Sequence, residues 1–151
     1  MRLEEIMNRE VETVSTSESA ERAWERMRQG NIHHLVVVHG GKVVGVVSER
    51  DVGGSRGASL RRGRIVGHFM TGHVIHAAPT TTVRQAANML RGYPIGCLPV
   101  MNNGRLAGIV TVSDLLELIG RGAARPVVKS KRWTLKHRGQ GRKPTRTRKR
   151  R

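Results

Sequence analysis

Aromatic residues make up only 3 % of this 151-residue chain, and it holds a single cysteine. One cysteine excludes an intrachain disulfide, so the fold must be held by its core. Ile95, Leu98 and Val100 around Cys97 suit a small buried side chain better than a reactive thiol. Long apolar runs are missing too: none approaches the roughly 20 residues that a membrane helix needs. The opening MRLEEIMNRE carries acids where a secretory signal would be apolar, so a cytoplasmic location is expected. Acidic residues are absent from one whole region. Residues 121–151 hold 14 Lys or Arg and no Asp or Glu, in a chain with 28 basic residues and a formal net charge of +17. Residues 1–120 keep 14 basic and 11 acidic side chains, a net +3, so ordinary folded chemistry belongs there and the tail is read separately.

Signatures of catalysis are also lacking. There is no G-x-S-x-G elbow, no phosphate-binding P-loop and no cysteine-histidine context for a nucleophile, so no catalytic residue is assigned and no enzyme is expected. His68, His73 and His76 fall close together, but without a helix-compatible ligand spacing or a neighbouring acid or cysteine, and no metal is assigned to them.

What the chain does have is a repeat. A shift of 63 positions, without a gap, pairs Met7 with Met70, Val11 with Val74, Ala23 with Ala86, Ile32 with Ile95, Leu35 with Leu98, Gly45 with Gly108 and Asp51 with Asp114. Duplication is the economical explanation. Each copy starts with a short β-type stretch, Val11 to Val14 and Val74 to His76, followed by a hydroxyl residue suited to cap a helix, Ser19 or Thr82. Ala20, Ala23, Trp24 and Met27, and then Val83, Ala86, Ala87 and Leu90, form one apolar helical stripe per copy. Trp24 suits the helix surface or the core equally. Gly30 and Gly92 end these helices; Leu35 to Val38 and Leu98 to Met101 read as buried strands. Gly40-Gly41 and Asn103-Gly104 supply hairpin turns into Val43 to Val47 and Leu106 to Val110, and Leu115 to Ile119 reads as a closing helix. The unit is β-α-β-β-α, an α/β (α+β) arrangement in which one copy alone is too small to cover its sheet, so two must pack together. The expected boundaries are 1–60 for the first copy and linker, 61–125 for the second and 126–151 for the tail. Gly53 to Arg64 reads as a loop joining the copies.

Both copies end a strand on the same motif, GVVSERD (Gly45 to Asp51) and GIVTVSD (Gly108 to Asp114). Ser48 and Thr111 thus fall near a helix N-terminus, and Ser-x-x-Asp resembles a capping box. Three features favour a ligand site instead. Capping boxes prefer the longer Glu or Gln; helix N-termini attract phosphate, and a carboxylate can hold a ribose diol; and Gly45 and Gly108 interrupt β-branched strands where a flat ligand or another backbone can approach.

The order M…V…A…M/L…I-x-x-L-x-V…G-x-h-x-G-h-V-[ST]-x-x-D, in Met7 to Asp51 and again in Met70 to Asp114, resembles the cystathionine-β-synthase (CBS) domain in tandem, over about three-quarters of the chain. The resemblance implies two CBS repeats packed as a pseudo-twofold pair, the Bateman module. It implies clefts for AMP, ADP, ATP or S-adenosylmethionine, with or without magnesium, and no required cofactor. Asp51 and Asp114 would hold ribose, and Ser48 and Thr111 phosphate. Ile32, His33 and His34, and Ile95, Gly96 and Cys97, would supply base and phosphate contacts. A homodimer is implied in the same way. His33 and His34 can donate to phosphate whereas Gly96 and Cys97 cannot, so the clefts should differ, with the histidine side binding phosphate and Ile95 to Cys97 forming a small apolar rim. Strand alternation leaves only one of the two histidines facing any given ligand.

The tail Lys129 to Arg151 mixes dense positive charge with Gly, Pro and Thr and should be disordered alone. It serves solubility, or it contacts a nucleic-acid backbone or an acidic partner protein. Lys131, Arg132, Trp133, Lys136, Arg138, Arg142 and Lys143 are the candidate nucleic-acid contacts, Trp133 by stacking. The leading expectation is a regulatory adenine-nucleotide module that signals occupancy to a partner. The alternative is a nucleic-acid-binding protein that uses the repeats as a dimerising scaffold.

Overall fold

A computed structural model of the chain describes residues 1–120. The expected tail, 126–151, and its candidate nucleic-acid contacts lie outside the described residues. The first copy contains β1 (Thr13–Ser15), α1 (Ala20–Gly30), β2 (His34–His39) and β3 (Lys42–Ser48), with β1 parallel and β3 antiparallel to the central β2. A four-residue helix α2 (Ala58–Arg61) lies between the copies, and the second contains α3 (Val83–Arg91), the antiparallel pair β4 (Cys97–Asn102) and β5 (Arg105–Thr111), and α4 (Val112–Gly120). Among the described residues no helix is long and apolar enough to cross a membrane.

Local chemistry accounts for these elements. The Ser19 hydroxyl accepts from the Arg22 amide and Thr82 accepts from Gln85, so both expected caps are in place. α1 terminates on Asn31, which takes the left-handed conformation at φ 48°, rather than on Gly30 itself. The hairpin turns use positive φ at Gly40 and Gly41, and at Asn103 and Gly104.

The copies differ at both ends. The strand expected at Val74 to His76 is reduced to one parallel bridge, Ala77 to Val100, which is the repeat equivalent of Val14 opposite Val37. In the first copy the Val36 amide donates to Glu12, but its equivalent is Pro99, which has no N–H to continue the ladder. The closing helix after Asp51 is also missing. Gly53 and Gly54 adopt φ 82° and 58° and break the chain into turns, whereas the equivalent Leu116 and Glu117 continue α4. The stretch expected to be a loop, Gly53 to Arg64, instead carries a 3-10 turn, Gly54–Arg56, and α2.

Core packing crosses between the copies. Leu3 and Met7, from the N-terminal segment, are buried among Leu98, Val100 and Val110 of the second copy. Val66, from the second, is buried among Leu35, Val37 and Val47 of the first. The exchange is stitched by backbone bridges between Asn8 and Ile109 and between Val46 and Thr71. A third cluster, Val36, Val46, Cys97 and Ile109, joins the two sheets face to face. The glycines of the motif are thereby explained: a Cβ on Gly45 would lie 2.8 Å from the Thr71 carbonyl and 2.9 Å from Met70 Sδ, and one on Gly108 would lie 2.6 Å from Met7 Sδ. Of the two approaches open to those glycines, the neighbouring backbone is the one present.

Candidate functional site

In both copies the hydroxyl and the aspartate close the same reciprocal box. The Ser48 amide donates to Asp51 Oδ2 at 2.8 Å and the Asp51 amide to Ser48 Oγ at 3.1 Å. The Thr111 amide donates to Asp114 Oδ2 at 2.8 Å and the Asp114 amide to Thr111 Oγ1 at 3.2 Å. Aspartate is therefore long enough, and its preference over glutamate is no argument against a capping box. Thr111 opens the nine-residue α4, but Ser48 opens only a turn, so the helix N-terminus expected beside Ser48 is not formed. The segments before β2 and β4 are tied to these boxes identically, the Glu49 amide donating to the His33 carbonyl and the Val112 amide to Gly96, each at 2.9 Å.

A cleft of about 590 Å³ opens beside the first box. Ser48, Glu49, Arg50, Asp51 and Gly54 form one wall, His33, His34 and Val46 the floor, and Thr71, Pro94, Ile95 and Gly96 the wall contributed by the second copy. The His33 and Ile95 groups, expected on separate sides, thus face one space. Both histidines line it, because His33 precedes the strand and escapes its alternation. His33 Nδ1 lies 2.8 Å from Glu49 Oε2, with the imidazole two-thirds exposed. The half-buried His34 ring faces Gly96, where a Cβ would stand 3.5 Å from Cε1 and Nε2. Ile32, Cys97, Thr111 and Asp114 do not line this cleft.

The electrostatics show how closely the two halves meet. Burial holds the His34 imidazole below the usual histidine value, reinforced by His33 and opposed by Asp51 and Asp114. Burial pushes the Cys97 thiol up to about 12, with Asp51 adding to it. Cys97 is 3 % exposed, as a packing role requires.

One anchoring residue left no trace in the repeat. Arg61 is 1 % exposed. Its Nε donates to Glu21 Oε2 at 2.7 Å, and its Nη1 donates to the carbonyls of Val52 at 2.9 Å and Gly54 at 2.6 Å. Its guanidinium lies 4.1 Å from the Trp24 ring centroid, so the partly buried Trp24 is a stacking partner, with its Nε1 lacking a hydrogen-bond partner among the described residues. Arg61 thus pins to α1 the turn that follows Asp51. The signal was charge inside a glycine-rich linker, and only its burial distinguishes it from the arginines around it. Among the described residues no cluster of His, Cys, Asp or Glu is placed to hold a metal ion.

The family model for the CBS domain matches residues 3–52 and 66–121. Inosine-5'-monophosphate dehydrogenase of Korarchaeum cryptofilum is 37 % identical over 76 % of this chain, which spans 23 % of that protein's length. The CBS domain-containing protein YhcV of Bacillus subtilis is 27 % identical over 75 % of the chain and 81 % of its own length. The CBS domain pair of MJ0100, solved with 5'-methylthioadenosine and S-adenosyl-L-methionine, superposes with a TM-score of 0.72 at 28 % identity, covering 80 % of this chain and 97 % of that one. CBSX2 in complex with AMP gives 0.67 at 25 % identity, over 80 % and 96 %. With both copies matched and the exchanged, face-to-face packing in place, the chain belongs to the CBS-domain family and is a tandem CBS pair.

Proposed function

We propose that this CBS pair is a regulatory binding module whose Ser48–Asp51 cleft takes an adenosine-containing ligand, and that a partner reads its occupancy. The observation that carries the reading is a cleft walled by the Asp51 box of one repeat and by Pro94 to Gly96 of the other, so that a ligand there touches both. A carboxylate accepts several hydrogen bonds, so Asp51 can take a ribose diol while Oδ2 holds the Ser48 amide. The Ser48 hydroxyl accepts from Asp51 and retains its own proton to donate to a phosphate oxygen. Pro94 and Ile95 offer an apolar surface to the base. The bound states of MJ0100 and CBSX2 support this ligand class. Thr111 and Asp114 repeat the box without the same cleft, which makes the first site the principal one in this reading. Regulation follows if the ligand prefers one arrangement of the repeats, since only differential affinity moves such an equilibrium.

Thermal shift of the full chain against AMP, ADP, ATP, GTP and S-adenosylmethionine tests it, because a ligand of the native state raises Tm. Asp51→Ala should abolish the shift or weaken affinity by about tenfold or more, the size expected when a charged hydrogen-bond acceptor is lost. Asp114→Ala should leave most of it. A shift indifferent to Asp51 sinks the assignment. The alternative reading, nucleic-acid binding through residues 129–151, rests on the 12 Lys or Arg that this segment holds of the 14 in 121–151, and predicts salt-steep binding untouched by Asp51→Ala.

A further inference from the structure

Taking the Ser48–Asp51 cleft as an adenosine site, we infer that it selects ligands with one phosphate or none over the di- and triphosphates. Among the described residues, the ionisable groups that face it are one arginine, two carboxylates and two histidines: Arg50, Glu49, Asp51, His33 and His34. No lysine lines it. The His33 ring is already engaged, its Nδ1 lying 2.8 Å from Glu49 Oε2. His34 is held in its neutral form at pH 7 by burial, and so donates one hydrogen bond without bringing charge.

Backbone donors are no more generous. Polyphosphate sites use a run of main-chain amides at a helix N-terminus or in a nest. Here the amides of Ser48, Glu49, Asp51, Gly53 and Gly54 donate respectively to Asp51 Oδ2, the His33 carbonyl, Ser48 Oγ, the Arg50 carbonyl and the Glu49 carbonyl, which leaves of this run the amides of Arg50 and of Val52, and Val52 does not line the cleft. No helix follows Ser48 to add its dipole, because Gly53 and Gly54 turn the chain. The Ser48 hydroxyl, the Arg50 guanidinium and amide and the His34 imidazole remain, enough for the oxygens of one phosphate. Each further phosphate would bring negative charge toward Glu49 and Asp51 without a matching cation among the described residues.

Isothermal titration of the full chain with adenosine, AMP, ADP and ATP, each with and without magnesium, tests this against Asp51→Ala as the background for polyphosphate bound elsewhere. The Asp51-dependent Kd should weaken from AMP to ATP by about tenfold or more, with adenosine on the tight side of ATP. Glu49→Gln removes one opposing charge and should narrow the AMP-to-ATP ratio by about threefold or more. Asp51-dependent ATP or magnesium-ATP binding as tight as AMP overturns the selectivity while leaving the adenosine site standing. A ratio unmoved by Glu49→Gln overturns its electrostatic basis. No Asp51-dependent binding of any of the four overturns the site and the inference together.

Discussion

His34 shows how one position changes meaning between sequence and structure. In the sequence it is the repeat partner of Cys97 and a candidate donor. In the fold its ring packs on Gly96, and burial, the largest influence, lowers its pKa below 6.5, with His33 helping and Asp51 and Asp114 opposing. The unfolded chain then binds a proton near pH 6 that the folded chain refuses, so this residue's stabilising effect is full above 6.5 and is lost as pH falls through the folded value. The Tm of the wild type should therefore drop more than that of His34→Gln between about pH 7.5 and pH 5.5. Parallel profiles would reject the burial of His34 as the cause. The Ser48–Asp51 and Thr111–Asp114 boxes were legible because each closes within four residues. The surroundings of His34 were not, because they depend on Gly96 and Asp114 arriving from the other repeat.

Among the elements, the strands, hairpins and caps could be read from periodicity and turn chemistry, since each depends on its own few residues. The failures share a cause: one copy departs from the other where a single residue type forbids the expected element, Pro99 at the short strand and Gly53-Gly54 at the absent helix. Arg61 takes over what that helix would have done, filling the space beside α1 and satisfying the carbonyls of Val52 and Gly54. Arg61→Met keeps bulk but leaves two carbonyls without their donor, and should cost about 2–4 kcal/mol. Arg61→Lys should recover little of it, since an ammonium cannot span Glu21 and both carbonyls while stacking on Trp24. Denaturant unfolding measures the loss. Trp24 emission, read in a Trp133→Phe background, should shift in both variants, and an unchanged spectrum with unchanged stability would remove Arg61 from this role.

At the scale of the molecule, the exchange of entry segments makes the two repeats one cooperative body. Met7 lies against Gly108 in the second copy's core and Met70 against Gly45 in the first, while Val36, Val46, Cys97 and Ile109 form the seam. Neither repeat has a complete core without the other's segment, so unfolding one removes buried surface from both. Gly45→Ala places a methyl at 2.8 Å from the Thr71 carbonyl, a backbone atom fixed by its own bridge to Val46. The expected cost is about 1–3 kcal/mol, as for overpacking elsewhere. Two probes read the halves separately. Trp24 fluorescence, with Trp133→Phe, follows the first repeat, and thiol labelling follows Cys97 in the second, which is buried and protonated, with a pKa of about 12, until it opens. Both should give one coincident transition in wild type, and Gly45→Ala should move the two curves together by the same amount. If the Trp24 curve moves while Cys97 labelling stays in place, the repeats unfold independently and the exchange does not couple them. If they move together, a ligand bridging Asp51 and Ile95 acts on an indivisible unit, and occupancy of one cleft is felt across both repeats.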